Sequence, residues 1–478
     1  MNFNSIVFIL LFLPLAILGF YLFSKLSRLA GKIFLIIAGL IFYLYGGWII
    51  FLAFLGSIVA NLIFSSIIAF QKQHQSNAKA AFIIGIVFNV LYLIVFKYST
   101  WFINDLLKLD WTFWNILLPV GISFYTFQQI SFLTFNFKQN EIKRFSILDY
   151  LVYITFFPKL LMGPLIEYDD FEKQLNSEDV TKFNTDNLLT GIKLVCFGLF
   201  KKVIIADLLA KIVNSGISSL ASLSCIDVLI IAVSYTFQIY FDFSGYSDMA
   251  IGISYMMNIE LPTNFNSPYK ATSIRDFWKK WHMSLTKFLT VYIYIPLGGS
   301  KKNKFRTCLN VFVVFLISGI WHGANLTFIV WGIVYGVISI IERFVPDAKS
   351  KVGKAFRCIL TFCITCFMWL LFRAESLEQW TTLLAKLFSF RDMTVNISML
   401  NSFSSPIISL ACKIPYLNNN FIWLVLTILL SAVLCFVPKN NIQKKKDTSI
   451  PVMLLCSVLL IVCVYNINVE TGFVYFGF

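Results

Sequence analysis

The chain has 478 residues, of which 58% are hydrophobic and only 13% are charged, a composition far outside the range of soluble globular proteins. Its net charge of +15 arises from 39 Lys and Arg residues against 24 Asp and Glu residues. In a soluble protein such a charge would suggest nucleic-acid binding, but here the basic residues cluster between apolar runs. The hydrophobic fraction and this distribution of charge therefore exclude a nucleic-acid-binding protein and place the chain in a bilayer.

Windows of about 20 mostly apolar residues recur along the chain, and a helix satisfies the backbone hydrogen bonds of such a segment inside lipid. We therefore predict an all-α polytopic membrane protein with ten to twelve transmembrane helices. The first run is expected to be a retained helix, because it has no basic region before it and is too long for the apolar part of a signal peptide. Two short runs, 288–297 and 402–411, are ambiguous between spanning, re-entrant and interfacial segments. The long runs lie at 4–23, 33–54, 55–70, 80–97, 113–136, 149–168, 188–210, 227–257, 308–341, 356–372, 421–437 and 451–466.

The connectors predict which loops are cytoplasmic, because Lys and Arg are enriched on that side of a membrane. Polar connectors at 169–187, 258–287 and 342–357 are expected outside the membrane. The second of these mixes charged with aromatic residues, which predicts an amphipathic helix at the interface. No internal repeat is present, so one membrane domain over 1–478 is expected. The basic clusters are Lys25/Arg28/Lys32, Lys201/Lys202, Lys301/Lys302/Lys304/Arg306, Lys349/Lys351/Lys354/Arg357 and Lys439/Lys444/Lys445/Lys446.

Polar residues inside apolar runs indicate where a site lies, because each costs free energy in lipid unless it faces a cavity or a partner. Two carboxylates, Asp242 and Asp248, lie six residues apart and would point in different directions on one helix. We expect them to pair with a basic residue such as Arg275 or Lys279, and direct catalysis is the alternative. Four stretches carry such polar residues, and they include Gln128 and Gln129, Lys159 and Glu167, Gln238 with the two aspartates, and His322 with Asn325.

Only three histidines occur, His74, His282 and His322. A histidine in a membrane helix can be a packed residue bonded to a backbone carbonyl, or it can be a general base, since burial keeps the imidazole neutral and able to accept a proton. Nucleophile-elbow, phosphate-loop and HExxH motifs are absent from the sequence. The histidines lack matched ligands, and the ten cysteines are expected to be buried hydrophobes, so no metal site is predicted.

Four blocks of sequence resemble the membrane-bound O-acyltransferase family, and within it the alginate and peptidoglycan O-acetyltransferase branch is the most similar. The resemblance is dense over 115–345, which would form the catalytic core, and leaves 346–478 as carboxy-terminal membrane helices. LLFRAESLEQW, near 370–380, is a weaker match. The four blocks read LPVGISFYTFQQISFL, FFPKLLMGPLIEYDDF, FDFSGYSDMAIGISYMMNIELPTNFNSPYKATSIRDFWKKWHMSLTKFLTVYIYIPLGGS and ISGIWHGANLTFIVWGIVYG.

This resemblance implies a ring of helices around a tunnel that joins a cytoplasmic donor pocket to an outer acceptor face. His322 corresponds to the family's W-H-G histidine, taken as the catalytic base, and His282 to the histidine of its W-H-M-S-L block. The residues expected to line the substrate passage are Arg275, Asp276, Trp278, Trp281, Asn325, Asp242 and Gln238.

The expected activity is transfer of an acetyl group from acetyl-CoA, a substrate rather than a bound cofactor, across a bacterial inner membrane to a polysaccharide or peptidoglycan hydroxyl. A periplasmic SGNH-type acetyltransferase is the expected partner, besides membrane lipid. The alternatives are a D-alanyl transferase for teichoic acid, a transporter, and a passive membrane scaffold. A transporter is disfavoured because the sequence has no inverted repeat.

Overall fold

The computed structural model describes residues 1–108, 118–139, 145–390, 393–414, 418–438, 440, 447–467 and 472–474, and these ranges are helical without a β-strand. The prediction of an all-α protein is confirmed. The basic cluster at 439–446 and the start of the run at 113–136 lie outside these ranges. The helices are α1 Leu13–Leu26, α2 Arg28–Leu44, α3 Trp48–Gln73, α4 Lys79–Thr100, α5 Ile122–Lys138, α6 Ile147–Thr155, α7 Phe157–Leu160, α8 Tyr168–Leu175, α9 Thr185–Leu199, α10 Asp207–Ser218, α11 Cys225–Tyr255, α12 Ile274–Trp278, α13 Met283–Leu289, α14 Lys304–His322, α15 Leu326–Ile341, α16 Lys351–Arg373, α17 Leu377–Leu387, α18 Ile397–Asn401, α19 Pro406–Ala411, α20 Asn420–Phe436 and α21 Ile450–Asn466.

Within the described ranges, six helices are long and apolar enough to cross a membrane, which confirms a multi-pass membrane protein. Three shorter apolar helices, α15, α20 and α21, have 16 or 17 residues each. The number of crossings, expected to be ten to twelve, stays a prediction. The six long helices are Phe8–Leu26, Trp48–Gln73, Lys79–Ser99, Cys225–Tyr255, Lys304–His322 and Lys351–Arg373.

Several of the predicted runs have wrong boundaries. The run at 149–168 contains α6 and α7 and then the non-helical residues 161–167, and the run at 55–70 is part of α3. The run at 33–54 is divided, because α2 ends at Leu44 and α3 begins at Trp48 after Gly47, whose φ of 118° is available mainly to glycine. The run at 308–341 is two helices rather than one. An Asn325 side chain starts the second helix by accepting a hydrogen bond from the Thr327 amide at 3.0 Å.

The first compact unit comprises residues 1–195 and 249–262. It satisfies most of its intramembrane polar groups internally. The Gln129 amide donates to Ser57 Oγ at 3.0 Å and accepts from the Tyr150 hydroxyl at 2.6 Å. Buried Lys159 donates to the Gln128 side chain, and its ammonium lies 3.7 Å from the centroid of the Tyr153 ring. These polar residues therefore have a structural role in this unit.

The second unit comprises residues 196–248 and 263–478. In it, α14 and α15 pack backbone against backbone at two glycines. A Cβ atom on Gly319 would overlap the carbonyl oxygen of Phe328, and one on Gly332 would lie 2.6 Å from that of Phe315. This close approach fixes the end of α14, where His322 lies.

The connector predicted to form an amphipathic interfacial helix is not one continuous helix over residues 263–287, its part in the second unit. The chain there is a loop with a 3-10 turn at Pro268–Lys270 and two short helices, α12 and α13. Its aromatic side chains point inward, and Phe265, Tyr269, Phe277 and Trp281 are each at most 3% exposed. Arg275 and Lys279 of the same segment are exposed, so the segment has a buried aromatic side and a charged side.

Candidate active site

His322 ends α14 and is 3% exposed. Its ring lies among aromatic side chains, with the Trp321 centroid at 4.7 Å, Phe372 at 5.0 Å, Trp331 at 5.2 Å and Phe328 at 6.2 Å. The neighbouring Gly323 is extended, at φ 175°, and the chain turns there into α15. The imidazole is therefore held in an aromatic enclosure, and it does not itself line either of the two cavities described below.

His282 lies outside the membrane-spanning helices, in the left-handed backbone region at φ 46°, which is uncommon for a residue with a side chain. Asn264 holds it there: its Oδ1 is 3.3 Å from His282 Nδ1 and accepts from the Ser284 amide and hydroxyl at 3.2 and 2.7 Å. Burial lowers the pKa of His282 to about 3, so the ring is neutral at physiological pH. Because Asn264 Oδ1 is an acceptor, Nδ1 carries the proton and Nε2 the lone pair.

Trp321 connects the two histidines, since its ring centroid lies 6.5 Å from that of His282 and 4.7 Å from that of His322. The structure therefore brings together the two histidines singled out from the sequence. The third, His74, is exposed at the end of α3, in the other unit.

A cavity of about 270 Å³, here called the cationic cavity, opens beside His282. Three cationic side chains line it, Arg275, Lys279 and Arg343, and none of the described carboxylates does. Trp278, which was predicted to line the substrate passage, also contributes to the wall, and most of the other lining residues are apolar. Other lining residues are Leu285, Thr286, Leu289, Thr290, Tyr294, Val311, Val314, Phe315, Ser318 and Ser339.

Asp276 and Trp281, also predicted to wall the passage, do not line the cationic cavity. Asp276 accepts from Lys280 Nζ at 2.8 Å and from the Thr272 amide at 3.3 Å. Trp281 is 1% exposed and packs with its ring centroid 4.8 Å from that of Trp369. Both residues hold the 263–287 loop in place.

A second cavity of about 480 Å³, here called the polar cavity, brings together the other three predicted residues, Gln238, Asp242 and Asn325. Phe328 and Phe372 line it and also contact His322, so the imidazole lies one aromatic layer behind its wall. The remaining lining residues are Lys202, Asp207, Ala210, Asn214, Tyr235, Arg373, Ala374, Glu375, Gly472 and Val474.

The predicted partner of the α11 carboxylates was wrong. Asp242 pairs with Lys202 at 2.7 Å, and Asp248 pairs with Lys201 at 2.7 Å, so neither depends on Arg275 or Lys279. The two lysines lie in a π-helical segment, Phe200–Ala206, and not in a connector between helices as predicted. Lys202 also reaches Asp207 at 2.8 Å, and the Lys202 and Asp242 side chains are each 1% exposed.

Sequence reasoning missed several residues of the polar cavity, namely Lys202, Asp207, Tyr235, Arg373 and Glu375. Two signals could have found them. Lys201 and Lys202 lie inside the apolar run 188–210, where charges need partners. Arg373 and Glu375 belong to the LLFRAESLEQW stretch, which matched the family more weakly.

Known proteins similar to this chain belong to the family that the sequence resembles. The model of the membrane-bound O-acyltransferase family, MBOAT, matches residues 40–376. A peptidoglycan O-acetyltransferase of Helicobacter pylori is 37% identical over 413 residues, covering 79% of this chain and 78% of the relative. A probable alginate O-acetylase, AlgI, of Pseudomonas aeruginosa is 35% identical over 409 residues, covering 84% of this chain and 77% of the relative. The teichoic acid D-alanyltransferase of Bacillus subtilis is 27% identical over 277 residues, covering 55% and 70%.

Proposed function

The chain belongs to the membrane-bound O-acyltransferase family and is an O-acyltransferase, and from this premise we propose that it moves an acetyl group from acetyl-CoA across the membrane to a hydroxyl of an extracellular polysaccharide or peptidoglycan. The names of the two O-acetylating relatives, each covering about four fifths of this chain, support the acetyl group and the class of acceptor. The observation that carries the proposal is the position of His322, enclosed by aromatic rings with a cationic cavity and a polar cavity close by.

The proposed donor site is the cationic cavity. Its three lining cations and the absence of a lining carboxylate suit the phosphates of coenzyme A, and Arg pairs with phosphate through two parallel hydrogen bonds. Leu285, Leu289 and the other apolar lining residues suit the uncharged arm that carries the thioester. His282 contributes a neutral imidazole at this cavity, so we assign it to the donor side of the reaction.

In the proposed reaction, His322 accepts the proton of the acceptor hydroxyl as the oxygen attacks the thioester carbonyl. The new C–O bond replaces the C–S bond, and the departing thiolate receives a proton. A positioned base contributes about 10²- to 10⁴-fold in rate. The aromatic enclosure keeps water from the thioester, which limits hydrolysis.

The proposed setting is a bacterial inner membrane, with a periplasmic SGNH-type acetyltransferase as the partner that completes the transfer. Few polar segments are available for a folded outer domain, which favours delivery of the acyl group to a partner. Co-purification with such a protein encoded beside this gene would support the partnership, and a chain that acetylates polymer fully by itself would contradict it.

The test replaces His322 with alanine. Acetate released by alkali from the purified polymer of a complemented deletion strain is expected to fall by about 10²- to 10⁴-fold, with the protein present in the membrane at the wild-type level. His74→Ala is the matched control, because His74 is exposed at the end of α3 and should leave the acetate unchanged. Unchanged acetate in His322→Ala contradicts the assignment of His322 as the base and favours a transporter or a scaffold.

A D-alanyl transferase is the second candidate, since the teichoic acid D-alanyltransferase of Bacillus subtilis is also similar to this chain. Its lower identity and its coverage of 55% of the chain favour the acetyl reaction. The same deletion strain decides between them: loss of ester-linked D-alanine with unchanged acetate would establish the second candidate.

A further inference from the structure

Charge is distributed unevenly between the two ends of α14, α15 and α16. At one end, residues 298–306 and 342–357 contain nine Lys and Arg residues against two carboxylates, a net charge of +7. At the other end, residues 319–330 and 370–379 contain one Arg against two Glu residues, a net charge of −1. The cations of these helices are therefore concentrated at a single end.

The fold of the second unit places the two basic segments side by side. α14 and α15 run antiparallel in close contact, and a Cβ atom on Gly336 would lie 3.1 Å from the Phe312 ring, so the start of α14 lies beside the end of α15. The connector 342–350 leads from that end to α16, where Arg357 donates to the Pro346 carbonyl at 2.7 Å. The starts of α14 and α16 therefore flank the end of α15.

The two carboxylates of these segments leave most of the cations unneutralised. Glu342 accepts hydrogen bonds from the amides of Ile274 and Arg275 at 2.8 and 3.0 Å. Asp347 lies 3.8 Å from Arg357, which is the ninth cation. The other eight cations are exposed, and none of them forms an ion pair among the described residues.

Seven of these eight cations lie outside both cavities and are here called the basic rim. The eighth, Arg343, lines the cationic cavity. The basic rim consists of the four Lys and Arg residues of 301–306 together with Lys349, Lys351 and Lys354. Because no residue of the basic rim lines a cavity, its role does not depend on the proposed reaction.

Large apolar side chains lie between the cations of the basic rim and are equally exposed. Both α14, which begins at Lys304, and α16, which begins at Lys351, are long and apolar enough to cross a membrane, so the basic rim lies at the level where hydrocarbon gives way to headgroups. The exposed fractions are 78% for Phe305, 68% for Phe344, 81% for Val352 and 66% for Phe356.

This combination of charge and apolar surface decides which anion fits. A free phosphate or a soluble acidic protein would pair with the cations and leave the apolar side chains in water. A phospholipid covers those side chains with its acyl chains while its phosphate pairs with the cations, whose own apolar stems lie along the hydrocarbon. Lys and Arg also favour the cytoplasmic side of a membrane, where the leaflet contains anionic lipids.

We propose that the basic rim binds the headgroups of anionic phospholipids and holds them at the ends of α14, α15 and α16. This lipid site goes beyond the proposed function, because it stands or falls without reference to acyl transfer. Phe305 and its apolar neighbours contact the acyl chains, and the seven cations select for a negatively charged headgroup.

The experiment counts the lipids that the full-length chain retains. The purified protein is placed in nanodiscs of phosphatidylglycerol and phosphatidylcholine in equal parts, which differ in headgroup charge, and is then released into detergent for native mass spectrometry. The wild type is expected to retain phosphatidylglycerol in preference to phosphatidylcholine. The double variants Lys301→Gln/Lys302→Gln and Lys351→Gln/Lys354→Gln should each weaken that retention by at least about fivefold, the effect of one lysine at an anionic surface.

The matched control is Lys173→Gln/Lys182→Gln, which removes two exposed lysines that are already paired with Asp169 and Asp179 at 2.5 and 2.9 Å. It should retain phosphatidylglycerol as the wild type does. Phe305→Ser keeps the charge and should still weaken retention by about threefold or more, because the acyl chains lose an apolar contact.

Four results would overturn the lipid site. They are equal retention of the two lipids by the wild type, unchanged retention in both lysine variants, an equal loss in the control, and full retention in Phe305→Ser. Displacement of phosphatidylglycerol by about 10 mM inorganic phosphate would identify a free-anion site instead, and displacement by decaglutamate would identify a surface for an acidic protein.

Discussion

Lys202 holds together one cluster of buried charges in the second unit. Its ammonium serves Asp207, Asp242 and the Gly472 carbonyl together, and lies 4.5 Å from the centroid of the Phe473 ring. The backbone amide of Val474 donates to the other Asp242 oxygen at 2.9 Å. Residues 472–474 are thereby docked beside the polar cavity by one charged cluster.

Replacing Lys202 with methionine should destabilise the protein by about 3–5 kcal/mol, because it leaves two carboxylates buried without their cation. The measurement is thermal unfolding of the purified protein in detergent, followed by tryptophan fluorescence. Lys304→Met is the control, since Lys304 is exposed at the start of α14 and its loss should leave the midpoint within about a degree. An equal midpoint for Lys202→Met and wild type would show that the cluster does not stabilise the fold.

Individual residues differ in how far the sequence determines their role. His282 and His322 could be identified because histidines are rare in this chain and the surrounding blocks resemble a known family. The partners of Asp242 and Asp248 could not, because spacing along α11 shows that they diverge but not what faces them. The π-helical turn at Phe200–Ala206, which presents Lys201 and Lys202 to them, has no signal in hydrophobic periodicity.

At the scale of helices, each of the six helices long enough to cross a membrane overlaps a predicted apolar run, since lipid leaves the backbone no alternative to a helix. Breaks such as those at Gly47 and Gly323 were missed, because a window of about 20 residues averages over a short turn. The loop at 263–287 was predicted to be an amphipathic helix for a different reason. Aromatic and charged residues in alternation occur both at a membrane interface and in a packed loop, and only tertiary contacts separate the two.

The close pairing of α14 and α15 yields a prediction at the same scale. Gly319→Ala should push the helices apart, since the new Cβ would overlap the Phe328 carbonyl oxygen, and it should displace both His322 and Phe328. Acetyl transfer is expected to fall by at least tenfold, because misplacing a catalytic group by about 1 Å can cost on the order of 10²-fold. The assay is acetate content of the polymer per unit of membrane-inserted enzyme.

Gly56→Ala provides the matched control, because a Cβ at Gly56 meets nothing within 4 Å. Alanine also has a higher helix propensity than glycine, so this variant should be as active as the wild type. Full activity of Gly319→Ala would mean that the close approach of α14 and α15 does not position the base.

For the whole molecule, the two cavities of the second unit differ in the charge of their lining residues, and the proposed function assigns the phosphate-bearing donor to the cationic one. A cationic cavity of net charge +3 attracts a phosphate-bearing donor, whereas the nearly neutral polar cavity does not. His322 is one aromatic layer from the polar cavity and is joined through Trp321 to His282 at the cationic one.

This assignment predicts a salt-dependent donor affinity. Arg275→Gln and Arg343→Gln should each weaken coenzyme A binding about tenfold at about 20 mM salt, because each removes an Arg–phosphate pair. The difference from wild type should shrink as the salt concentration is raised to about 0.5 M, since these side chains are exposed and salt screens their charge. Binding is measured by titrating coenzyme A into nanodisc-embedded protein. Arg306→Gln, an exposed cation that does not line the cavity, should bind as the wild type does at every salt concentration. A similar loss in Arg306→Gln would mean that the general charge of the protein, rather than the cationic cavity, attracts the donor.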